Sequence, residues 1–128
     1  MTSLNRILYV EDDDDIRQVA QLALEEVGGF ELKTCSSGSE ALSTIDAINP
    51  DMVLLDVMMP DMDGVETLEA LRQQGSLAGT PVVFMTAKVH PDEVVRYRGI
   101  GVFEVIAKPF DPMTLSDEIR SIWERFHE

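Results

Sequence analysis

Short apolar runs alternate along this chain with stretches in which apolar residues recur every three or four positions. The first run is Ile7-Leu8-Tyr9-Val10. After it, Ile16, Val19, Ala20, Ala23, Leu24 and Val27 share one helical face, which predicts a helix over about Asp14 to Val27. Gly28-Gly29 should end it. Phe30 to Cys35 alternates apolar and polar residues, as an edge strand with one wet face does. Ser37 and Glu40 stand at capping-box spacing and open a second helix through Ala41, Leu42, Ile45 and Ile48, which Asn49-Pro50 stops.

Met52-Val53-Leu54-Leu55 is apolar throughout, the pattern of a strand buried on both faces. A turn follows at Met59-Pro60-Asp61, and a third helix carries Val65, Leu68 and Leu71. Gly75 to Thr80 reads as a loop, Val82-Val83-Phe84-Met85 as another buried strand, and about Asp92 to Arg98 as a fourth helix. Phe103 to Ala107 is the last strand. Asp111 then offers a cap, with Pro112 at the first helical position. Leu115, Ile119, Ile122, Trp123 and Phe126 complete an amphipathic final helix.

A βα unit repeated five times implies a parallel sheet with helices on both faces. Right-handed crossovers then make it an open, doubly wound α/β sheet. No linker and no longer repeat interrupts the pattern, so residues 1–128 read as one domain with no second domain attached.

Composition narrows the function. A chain of 128 residues suits one compact domain. No apolar run approaches the ~20 residues of a membrane helix. The start, Met1 to Arg6, lacks the parts of a signal peptide, and the lone Cys35 cannot form an internal disulfide. A cytoplasmic location is expected. The formal net charge of -14 repels nucleic acid phosphates and anionic lipid heads, which argues against direct DNA or membrane binding.

In doubly wound sheets, sites form beyond the carboxyl ends of the strands. Glu11 and Asp12 follow the first strand, Asp56 the third, Thr86 the fourth and Lys108 the fifth. The second strand ends in Cys35-Ser36-Ser37 and offers nothing distinctive. Asp13, Asp14 and Asp15 read as capping and dipole compensation for the first helix. Asp56 ends the most apolar strand, where a carboxylate is costly unless paired or ligated. Three carboxylates about 5 Å apart repel pairwise by roughly 3 kcal/mol at an effective dielectric near 20. A hard cation relieves this, Mg²⁺ before Ca²⁺, since every candidate ligand is an oxygen. A metal, a lysine and a hydroxyl around one free carboxylate are equipment for phosphoryl transfer, with Asp56 as the nucleophile.

The chain resembles the response-regulator receiver family over nearly its whole length. The matching pieces are Leu8 to Asp12, Leu54 to Gly64, Met85-Thr86-Ala87 and Lys108-Pro109-Phe110. The resemblance implies a single-domain, chemotaxis-regulator-like receiver with the flavodoxin-like strand order 2-1-3-4-5 and no output domain. It implies that Asp56 is the phospho-acceptor, that Asp12 binds Mg²⁺ directly, and that Glu11 acts partly through water. The main-chain carbonyl of Met58 is implied as a further ligand, and Thr86 and Lys108 as the switch hydroxyl and the lysine that meets the phosphoryl group. The peptide bond before Pro109 is often cis in the family. The donor would be a phosphohistidine on a sensor histidine kinase or a histidine phosphotransfer protein. The output would be contact of the fourth helix, fifth strand and fifth helix with a downstream protein target. Such a domain assists its own phosphorylation and dephosphorylation without being an enzyme.

Two positions depart from the commonest family pattern. Val105 stands where a rotating Tyr or Phe is usual, and Phe103 lies two residues earlier, on the same strand face by alternation. Met58 and Lys88 stand where the family tunes its dephosphorylation rate. Among rival readings, a flavodoxin-type cofactor domain would meet phosphate repulsion from Glu11 and Asp12. A haloacid-dehalogenase-type phosphatase would carry its nucleophile after the first strand and a second acid two places on, where this chain has Met58. The stronger alternative is a degenerate receiver that binds partners without phosphorylation.

Overall fold

The computed structural model describes residues 3–127, so Met1, Thr2 and Glu128 lie outside the described residues. The signal-peptide reading of the start and the ends of the 1–128 domain therefore lie partly outside the described residues. Five strands form one parallel sheet: β1 Arg6–Val10, β2 Glu31–Cys35, β3 Met52–Asp56, β4 Val82–Thr86 and β5 Glu104–Ala107. Their order is β2-β1-β3-β4-β5, as expected. The helices are α1 Asp14–Gln21, α2 Gly38–Ile48, α3 Gly64–Gln73, α4 Pro91–Gly99 and α5 Leu115–Phe126.

Alternation along the strands divides the core in two. Leu8, Val10, Val53, Leu55, Val82 and Phe84 face Ala41, Ile45, Leu68, Leu71 and Tyr97 of α2, α3 and α4. Ile7, Tyr9, Met52, Leu54, Val83, Met85 and Ile106 face Ala20, Ala23, Leu24, Leu115, Ile119 and Ile122 on the other side. β3 and β4 are buried at every position, which accounts for their unbroken apolar runs.

Capping follows the sequence in most places. Asp13 caps α1, its Oδ1 accepting the Ile16 N–H at 3.0 Å, with Asp14 and Asp15 in the first turn. Ser37 caps α2 through the Glu40 N–H, while Glu40 reaches back to Ser36 rather than to Ser37. Asn49 closes α2 in the left-handed region. A reciprocal capping box of Asp63 and Glu66 starts α3, a pairing the hydrophobic pattern alone does not reveal.

Three local expectations are corrected. The predicted first helix is not uniform: Leu22–Val27 winds as a π-helix, and Gly28 N–H bonds Ala23 O, five residues back. Ser116 of α5 fills the widened turn, donating to Ala23 O at 2.7 Å. Asp111 does not cap α5; its Oδ1 accepts from Met113 N–H in a turn, and the helix begins at Leu115 behind Thr114. Phe103 does not share a face with Val105. It lies before β5 and stacks edge-on against Phe126 at 5.2 Å, on the α1–α5 side, whereas Val105 packs on the α2–α4 side. Alternation holds only within a strand, and β5 starts one residue later than the apolar pattern suggests.

Candidate functional site

The parallel sheet brings the carboxyl ends of β1, β3, β4 and β5 to one edge. There Glu11, Asp12, Asp56, Thr86 and Lys108 line a cleft of about 300 Å³, together with Asp13, Ile16, Met58 and Ala87. Every side chain singled out at a strand end thus meets in one place. Glu11, Asp56 and Thr86 are buried and Asp12 is exposed. Ligand oxygens of Glu11, Asp12 and Asp56 lie within 4.8 Å of one another, and this is a group of the kind that holds a metal ion.

Lys108 lies between the two buried acids. Its Nζ donates to Glu11 Oε1 at 2.5 Å and to Asp56 Oδ1 at 2.9 Å. Burial draws the amine down, but bonding to Glu11 and Asp56 outweighs this and holds it above its ordinary value. Burial also pushes the Asp56 carboxyl up to about 7, aided by the neighbouring Glu11 and opposed by Lys108. One ammonium faces three acids, so the cluster has room for further positive charge. Donors that are all oxygen, with Asp12 open to water, fit a small hard divalent cation.

The backbone around Asp56 is equally constrained. Gly64 N–H donates to Val57 O at 2.9 Å. A Cβ on Gly64 would lie 2.8 Å from Asp56 O and 2.9 Å from Val57 Cα, and these backbone atoms cannot yield. The glycine lets α3 start directly against the end of β3, which carries Asp56. The Lys108–Pro109 peptide bond is cis. Thr86 Oγ1 accepts the Lys88 N–H at 3.0 Å, so the hydroxyl holds the segment that follows β4. Met58 borders the cleft with an exposed side chain.

Two site residues were not singled out in the sequence. Arg17 of α1 donates to the Glu11 carbonyl at 2.8 Å and pairs with Asp14. Tyr9 of β1 donates its hydroxyl to Glu11 Oε1 at 3.2 Å. Arg17 had a sequence signal, since it lies one turn past the acidic loop, whereas Glu11 lies past the end of β1 and alternation does not carry Tyr9 to it.

This geometry agrees with comparison to known proteins. The family model described as "Response regulator receiver domain" matches residues 7–120. The chain belongs to that family and is a receiver domain of two-component signalling. It is 38% identical over 125 residues to the regulatory protein AtoC of Escherichia coli, covering 98% of this chain and 26% of that protein. It is 36% identical over 126 residues to the transcriptional regulatory protein CseB of Streptomyces coelicolor, covering 98% of this chain and 52% of that protein. The chain therefore spans between a quarter and half of these relatives. Among solved structures, the chemotaxis protein CheY4 of Vibrio cholerae superposes with a TM-score of 0.85 at 30% identity, over 94% of this chain and 99% of that one. Among the described residues, no helix is long and apolar enough to cross a membrane.

Proposed function

We propose that Asp56 accepts a phosphoryl group from a phosphohistidine on a sensor histidine kinase or histidine phosphotransfer protein. The observation that carries this reading is the convergence of Lys108 on both Asp56 and Glu11 beside Asp12, inside a chain of the receiver family. An Asp56 oxygen attacks phosphorus; the new O–P bond forms as the N–P bond breaks, and its electron pair returns to the donor imidazole. Asp12, Glu11, Asp56 and the Met58 carbonyl would hold Mg²⁺. Held there, the cation would supply positive charge against the phosphoryl oxygens. Lys108 turns from the carboxylates towards a phosphoryl oxygen, and its charge stabilises the transition state.

Thr86 turns the chemistry into a change of surface. Its hydroxyl swings to donate to the phosphoryl group and gives up the Lys88 N–H, which frees Ala87-Lys88-Val89 to take a second position. The domain then signals by contact with a downstream protein through α4, β5 and α5. It acts as a phospho-acceptor rather than as a turnover enzyme. Incubation with acetyl phosphate and Mg²⁺ followed by intact-mass spectrometry is the test. The expected result is one phosphoryl adduct on the wild type and none on Asp56→Asn. A full-strength adduct on the variant overturns the acceptor assignment, and no adduct on either protein points to the phosphorylation-independent binding module.

A further inference from the structure

Glu11 is held at more points than any other acid of the cleft. Arg17 holds its carbonyl, and the Asp13 N–H reaches its Oε2 at 3.4 Å. Its Oε1 carries two side-chain donors, Lys108 Nζ at 2.5 Å and the Tyr9 hydroxyl at 3.2 Å. These donors differ in kind. Lys108 also bonds Asp56, and in the proposed chemistry it turns to the phosphoryl group there. Tyr9 has nowhere to go: it is 0% exposed and its ring is set in the core against α1 and α5.

We propose that Tyr9 is a positioning residue, whose hydroxyl fixes the rotation of the Glu11 carboxylate and keeps it fixed when Lys108 turns to the phosphoryl group. The inference rests on the reading of the cleft as a cation and phosphoryl site. A buried tyrosine often bonds whatever acceptor is near. Here, however, the acceptor is a buried acid of the ligand cluster, and the shared oxygen loses its other side-chain donor when Lys108 leaves. Without Tyr9 the carboxylate, freed from Lys108, would keep only the long Asp13 N–H contact at 3.4 Å beside a newly arrived negative charge. Burial first, and then Glu11, push the phenol above its ordinary value.

The test compares wild type, Tyr9→Phe and Tyr97→Phe. Tyr97 is a second buried tyrosine, edge-on to Phe84 at 5.0 Å on the opposite face of the sheet, and so controls for the general loss of a buried phenol. Calorimetric titrations with Mg²⁺ alone, and with beryllofluoride in saturating Mg²⁺, give the affinities. Loss of a hydrogen bond behind a metal ligand typically weakens binding about tenfold. Tyr9→Phe should show about that loss for beryllofluoride and a smaller one for Mg²⁺ alone, with Tyr97→Phe within twofold of wild type. Beryllofluoride affinity of Tyr9→Phe within twofold of wild type overturns the proposal. Should Tyr9→Phe fold poorly, ¹³Cζ-tyrosine NMR of the wild type decides. The Tyr9 resonance should move on beryllofluoride binding, and a resonance that stays still overturns the proposal. A wild type that binds neither Mg²⁺ nor beryllofluoride overturns the underlying reading instead.

Discussion

Asp56 sits at the end of a strand whose every residue is buried, and its carboxyl is pushed up to about 7 from an ordinary 3.8. A carboxyl raised by folding binds a proton in the native state that the unfolded chain has already released. Its contribution therefore falls as pH rises from about 4 to about 7, by on the order of 4 kcal/mol over some three units. In metal-free buffer, the melting temperature of the wild type should drop across this window relative to Asp56→Asn, which has no proton to lose. Above pH 7 the variant should be the more stable protein. Thermal melts of both from pH 4 to 8 in a chelator check this, and parallel curves would sink the account. The same crowding of charge would favour a cation in the proton's place.

At the scale of elements, two contacts matter most. The π-helical stretch Leu22–Val27 and α5 meet so closely that a Cβ on Gly28 would lie 2.1 Å from Ser116 Oγ and 2.8 Å from Leu24 O. Gly28→Ala should displace the Ser116 hydroxyl from Ala23 O and cost roughly 1–3 kcal/mol, read as a lower urea midpoint. The second contact is the Thr86–Lys88 bond, which ties the end of β4 to the loop before α4. Val105 has one dominant rotamer and little reach, and Phe103 is committed to Phe126 on the far face, so neither supplies a rotating aromatic. Addition of beryllofluoride should shift the NMR signals of Thr86 to Val89 strongly, with the Val105 rotamer unchanged. Val105→Ala should keep that response, and its loss in this variant would defeat the Thr86 route.

Across the whole molecule, cation binding should appear as stability. The acid cluster exists only when β1 and β3 are paired, through Val10 and Leu55, so the unfolded chain has no equivalent site. At Mg²⁺ concentrations about ten times Kd, the gain is roughly 1.4 kcal/mol, or about 5 °C in Tm for a domain of this size. Asp12→Ala should remove most of that gain. Asp14→Ala should not, because Asp14 serves the first turn of α1 and pairs with Arg17. Equal loss in both variants, measured by Mg²⁺-dependent melts, would mean that the acidic run is not divided into ligands and caps. The net charge of -14 gives the rest of the surface no share in this specific effect beyond screening.

The sequence by itself determined the five βα units, the doubly wound class, and the strand ends at which Glu11, Asp12, Asp56, Thr86 and Lys108 stand. It could do so because period-2 and period-3.6 burial are local patterns, and because a parallel sheet carries all its strand ends to one edge. Tertiary structure decided what depends on neighbours distant in sequence. The π-helical turn at Leu22–Val27 exists where Ser116, 93 residues from Ala23, fills it. Phe103 leaves the face of Val105 because Phe126 at the end of α5 offers its ring a partner. Lys108 is drawn onto both acids across 97 and 52 residues of chain. Glu11 lies past the end of β1, so alternation alone does not place Tyr9 beside it, and only the packed core shows its hydroxyl sharing an oxygen with Lys108. No local period encodes such meetings, since they are set by burial and by the pairing of charges that the fold brings together.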